Sequence, residues 1–132
     1  MPAADRPVDK PRPIYLNLFA IRQPLPAIVS ILHRISGALM FLVGIPLLLW
    51  VVQRALASPD GYAAATGPFT TPIGKLVVLV LAWCYLYHLL AGLRHLALDL
   101  RVGIRLAPAR SSAAVVLLLS FLLTLIVAVR LW

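Results

Sequence analysis

Three apolar runs without a charged residue divide the chain: Ile35–Gln53, Leu76–Leu93 and Ala113–Val129. At 1.5 Å per residue, runs of this length cover about 25–29 Å, close to the hydrocarbon thickness of a bilayer. The pattern predicts an all-α integral membrane fold with three transmembrane helices over about 30–54, 75–98 and 111–131. Pro24 and Pro26 mark where the first helix begins, near Pro26, because proline is tolerated in a first helical turn and not well inside one. Ser111 can open the third helix, and Trp132 can anchor its far end at the membrane interface. Between the first two spans, "SPDGYAAATGPFTTPIG" gathers Pro, Gly, Asp and Thr and is expected to be a loop. The organisation is therefore a segment over 1–25 followed by a membrane domain over 26–132.

Composition agrees with this reading. Of the 132 residues, 62% are hydrophobic and 12% charged, against about a quarter charged in soluble domains. The net charge of +8 does not imply nucleic acid, since the basic residues bracket apolar runs instead of gathering on a polar surface. They suit anionic headgroups or partner subunits. The lone cysteine, Cys84, lies within an apolar run and is a small packing residue. The opening "MPAADRPVDKPRP" has prolines, Asp5 and Asp9 but no apolar core, so it is expected to be neither a secretory signal nor an amphipathic presequence. A bacterial inner membrane is the expected location. Basic residues are counted as five before the first span (Arg6, Lys10, Arg12, Arg22, Arg34) and four in the second loop (Arg94, Arg101, Arg105, Arg110). Arg54 and Lys75 flank the first loop, and Arg130 stands at the C-terminus, so nine face three. By the positive-inside rule the N-terminus is expected in the cytoplasm and the C-terminus in the periplasm.

Polar residues concentrate at one end of the bundle. Ser30, His33, Arg34 and Gly37 follow i, i+3, i+4, i+7 spacing and form one helical stripe. On the second helix, His88 and His95 are two turns apart and point the same way, and antiparallel packing sets Arg94, His95 and Asp99 level with Ser30–Arg34. His88 lies deeper, and an ionisable group inside a span is a functional hypothesis by default. A haem b fits this pattern: iron takes an axial imidazole at depth, and the propionates need cationic or hydrogen-bonding partners near one interface. His33, Arg34, Arg94 and His95 are candidates for the propionates. A second axial ligand must reach the opposite face of the ring, which His95 cannot do from the same helix face as His88. The partner histidine is expected from another chain, with His33 and His95 remaining a geometrically possible pair. Ser30 and Arg34 suit a quinone carbonyl, which gains negative charge on reduction and is stabilised by a hydroxyl and a guanidinium in a dry pocket.

"SILHRISG" at 30–37 and "YHLLAGLRHLALD" at 87–99 resemble the cytochrome b556 anchor subunits of succinate dehydrogenase, the respiratory complex II family. "RPIYLNLFAIRQPLPAI" at 12–28 and "SPDG" at 58–61 are similar to the same family, although the stretch between Arg6 and Leu18 departs from its commoner Ser-Pro-His opening. The resemblance implies a complex in which a flavoprotein oxidises succinate, an iron–sulfur subunit passes electrons on, and two membrane subunits bind ubiquinone and share a haem b. It implies that Ser30 and Arg34 contact quinone and that His88 is this subunit's axial ligand to haem iron. It also implies that His33, Arg34 and His95 lie near the propionates and that the second anchor supplies the other axial His; Asp99 closes the "RHLALD" motif and is expected to have a structural role at the helix end. The alternatives are a fumarate reductase anchor working in the opposite direction, and a non-redox assembly or transport subunit whose His and Arg residues only join helices. No Gly-rich nucleotide motif is present, so the chain is expected to have no succinate-oxidising site of its own.

Overall fold

The structure, a computed structural model, describes residues 21–132. The expectations placed on Arg6, Lys10, Arg12 and the rest of the opening segment lie outside the described residues. Helix α1 (Leu25–Leu39) starts with Pro26 in its first turn, as the proline pair predicts. It runs through a π-helical turn, Met40–Gly44, into α2 (Ile45–Ala57). In the wide turn the Ile45 N–H bonds to the Met40 carbonyl, five residues back. Pro46 is one cause, since its ring nitrogen has no proton to offer the carbonyl four residues earlier. Helix α4 spans Pro72–Asp99 and α5 spans Leu106–Leu131. Among the described residues, the continuous Leu25–Ala57 stretch, α4 and α5 are the three helices long and apolar enough to cross a membrane.

The sequence was expected to form a loop between the first two spans, and here the structure differs. Pro59–Thr66 forms a short helix, α3, followed by a 3₁₀ turn over Gly67–Thr70. Ser58 caps α3 by accepting from the Gly61 N–H at 2.9 Å, Pro59 occupies the first turn and Asp60 complements the helix dipole. These are helix-start signals, and the proline and glycine content masks them. Glycine is required at two places here. A Cβ on Gly61 would run into the Arg54 carbonyl, and one on Gly74 would run into the Pro68 carbonyl. Helix α5 also begins earlier than Ser111, because Pro108 is tolerated in its first turn. The Ser111 hydroxyl instead donates back to the Pro108 carbonyl.

The turn from α4 into α5 is a Schellman closure. The Arg101 N–H bonds to the Leu98 carbonyl, the Val102 N–H bonds to the Ala97 carbonyl, and Arg101 adopts φ 62°. It returns α5 antiparallel along α4, and both pack on α1. Many of the buried positions are small, among them Ala91, Ala113, Cys84, Ser36 and Ser120, with Val29, Val116, Tyr87 and Arg94 as larger members. Small residues let backbones approach, which matters where surrounding lipid is as apolar as the helices and gives no hydrophobic drive to associate. Past the π turn, α2 packs on α3 and leaves α4, opening a cleft of about 370 Å³ between Leu47, Val51, Val78 and Tyr85. At that end the Lys75 ammonium sits 5.1 Å from the centre of the Trp132 ring, joining the start of α4 to the end of α5.

One polar contact sets the register of α1 against α4. The Tyr87 hydroxyl, fully buried, donates to the Val29 carbonyl at 2.7 Å. Tyr87→Phe should lower the stability of the membrane-extracted protein by about 1 kcal/mol, seen as an earlier heat-unfolding midpoint; an unchanged midpoint would show that this bond does not set the register.

Candidate functional site

The Tyr87 contact brings the next residue, His88, against the turn of α1 that carries His33, Ser36 and Gly37. Nδ1 of His88 lies 3.0 Å from the His33 carbonyl oxygen and 3.2 Å from the Ser36 hydroxyl. A carbonyl only accepts, so the proton of the neutral ring sits on Nδ1 and the lone pair is left on Nε2. The approach is close enough that a Cβ on Gly37 would stand 2.8 Å from Cε1 of His88. Gly37 is thus the vacancy in α1 that the imidazole uses.

His33 fills the space between the two histidines of α4. Its ring stacks on His88 with centroids 3.9 Å apart and planes at 17°, and it meets His95 at 4.9 Å and 56°. Its Nε2 is buried and finds no hydrogen-bond partner among the described residues. Opposite it stands Gly92, where a Cβ would lie 3.5 Å away. An orphaned polar atom in an apolar bundle costs about 1–3 kcal/mol, and such atoms in native structures mark a missing partner or a functional demand.

The predicted stripe divides into two edges. His33, Ser36 and Gly37 face α4, whereas Ser30 and Arg34 each follow an inward residue by one position, a rotation of about 100°. Ser30 is half-buried and Arg34 exposed, so this pair lies one turn apart on the flank of α1. His88 and His95 do share a face, since both touch the His33 ring. Asp99 ends α4 with an exposed side chain.

Arg94 does not join the histidines. Its side chain is 7% exposed and turns to α5, where Nε donates to the Ser112 hydroxyl at 3.0 Å and Nη2 to the Ala109 carbonyl at 3.1 Å. Position 94 precedes His95 by about 100° of rotation, which aims it at the first turns of α5, where that hydroxyl and carbonyl lie open. Its work is to fasten α5 to α4. Ser36 and Tyr87 are the site residues that sequence reasoning missed. The available signal for Ser36 was its place one turn after His33 and directly before a glycine.

Fold and site together define a small helical membrane subunit with an imidazole cluster between its first and second spans. The chain belongs to the succinate dehydrogenase/fumarate reductase transmembrane subunit family, whose pattern matches residues 8–127. It is similar to the succinate dehydrogenase cytochrome b556 subunit of Coxiella burnetii, 37% identical over 122 residues that cover 92% of this chain and 97% of the relative. The subunit of the same name from Paracoccus denitrificans is 37% identical over 102 residues, 77% of this chain and 78% of the relative. That of Rickettsia typhi is 30% identical over 115 residues, 87% and 89% respectively. The chain is accordingly a multi-pass protein of the bacterial inner membrane and one subunit of an oxidoreductase complex.

Two glycines of α1 and its continuation separate steric need from general helix tolerance. Gly37→Ala should destabilise by about 1–3 kcal/mol, because the His88 ring must move. At Gly44 the nearest atoms would stand at 3.7 and 3.8 Å, and Gly44→Ala should stay within about 0.5 kcal/mol. The yield of folded, detergent-extractable protein checks the pair, and equal yields would contradict the close approach.

Proposed function

We propose that this chain is a cytochrome b556 anchor of succinate dehydrogenase. In this reading it holds one side of a haem b shared with a second anchor subunit, and it contributes Ser30 and Arg34 to the site where ubiquinone is reduced. The observation that carries the reading is the His88 ring, whose Nδ1 is held by α1 while Nε2 keeps the lone pair.

The residues present fit a haem. A metal-bound histidine characteristically donates its other ring N–H to a carbonyl or similar acceptor, which fixes tautomer and orientation. His88 already has that arrangement at Nδ1. The orphaned His33 Nε2 fits a propionate oxygen, with His95 beside it and Arg34 on the next position of α1. Haem b, when bound, supplies a one-electron carrier at that depth. A second imidazole to hold the haem would come from the other anchor, because His33 is stacked on His88 and meets His95 on α4.

Ser30 and Arg34 act on the substrate. Their flank of α1 points away from the α4 contact, so a neighbouring subunit closes the pocket over them. Reducing a quinone to a quinol takes two electrons and two protons, and negative charge gathers on a carbonyl oxygen as electrons arrive. The Arg34 guanidinium and Ser30 hydroxyl stabilise that oxygen. The end of the bundle carrying Ser30, His95 and Asp99 faces the cytoplasm, following the nine-to-three division of basic residues, and protons reach the ring from that side. Succinate itself is oxidised in the flavoprotein, and the electrons come through the iron–sulfur subunit. The family spans both directions of the reaction, and the relatives' names favour succinate oxidation over fumarate reduction.

Arg34→Leu should cut ubiquinone reduction by the complex about 100-fold, and Ser30→Ala about tenfold, with succinate oxidation by a soluble artificial acceptor retained. Parallel loss of both activities would remove the quinone role. His88→Ala should abolish or strongly weaken the b-type band in reduced-minus-oxidised spectra of the purified complex, whereas an unaltered band would reassign the ligand.

A further inference from the structure

We propose that Ser36 is a positioning residue that tunes the electron affinity of the haem through His88. The inference rests on the assignment of His88 as axial ligand, and its test separates the two. Ser36 is 1% exposed and sits where α1 meets α4. Its hydroxyl donates to the His33 carbonyl at 2.9 Å, and its oxygen stands 3.2 Å from Nδ1 of His88. The same carbonyl lies 3.0 Å from that Nδ1.

The protons in this triangle are fully assigned. The carbonyl can only accept, so it takes one hydrogen from Nδ1 and one from the Ser36 hydroxyl. With its own hydrogen spent, the Ser36 oxygen presents lone pairs to the Nδ1 proton. That proton is shared between two acceptors, one of them a hydroxyl already polarised by donating. Two acceptors draw the proton away from the ring and raise the electron density at Nε2. A more basic imidazole stabilises ferric over ferrous iron and lowers the reduction potential.

Helix α5 holds an internal comparison. Ser120 is 0% exposed and donates to its own i−3 carbonyl, of Leu117, at 3.0 Å. That is the ordinary way a serine satisfies itself in a membrane helix. Ser36 makes the same bond and adds the imidazole. A purely structural serine needs only the first.

The test is an optical redox titration of the haem in the purified four-subunit complex. Ser36→Ala should keep the haem and raise the ferrous-to-ferric ratio at a fixed ambient potential three- to tenfold, where tenfold corresponds to about 59 mV for one electron. Ser36→Thr, which keeps the hydroxyl, and Ser120→Ala should titrate as the parent complex does. A Ser36→Ala potential equal to the parent's overturns the proposal and leaves the ligand assignment standing. A haem spectrum untouched by His88→Ala overturns the assignment itself. Should Ser36→Ala fail to assemble, Ser36→Cys has similar volume and a poorer acceptor. A shift in the same direction then supports the proposal, and no shift overturns it.

Discussion

The contact between one imidazole edge and one turn of backbone organises this molecule. His88 reaches α1 where Gly37 has no side chain, and there Nδ1 meets the His33 carbonyl and the Ser36 hydroxyl. In an apolar bundle a polar ring must find partners inside the protein, because lipid offers none. The contact satisfies one ring nitrogen and by the same act leaves the other with its lone pair. A structural demand and a chemical capability are met by a single geometry.

The rest of the fold serves that geometry. Tyr87 fixes the register one residue earlier by bonding the Val29 carbonyl. Arg94 ties α4 to the first turns of α5, so that α4 is held from both sides near the histidines. Away from the cluster the requirement relaxes. Past the π turn α2 leaves α4 and packs on α3, and the 3₁₀ turn over Gly67–Thr70 contacts α4 instead. Close approach also recurs away from the imidazoles, where Cys84 and Ser120 are buried and Gly74 leaves no room for a side chain beside Pro68.

Much of the fold was legible in the sequence because spanning a bilayer demands a charge-free run of fixed length, which a linear scan finds directly. Pro26 marked the start of α1 for an equally local reason. The segment after Ser58 reads as a loop because Pro, Gly and Asp signal both a turn and a helix start, and only the Ser58 cap decides between them. In the site, the shared face of His88 and His95 followed from helical spacing. The direction of Arg94 did not. A residue on a helix flanked by two neighbours can turn to either, and the choice depended on where α5 offers a carbonyl and a hydroxyl. Ser36 stayed hidden because its importance lies in a partner 52 positions away.

The most direct measurement is an experimental structure of the assembled complex, read at the two ring nitrogens of His88. Iron of a haem bound at Nε2, with Nδ1 still on the His33 carbonyl and the Ser36 hydroxyl, is the predicted result. An Nε2 facing acyl chains, or a ring flipped so that Nδ1 turns away from α1, would contradict it.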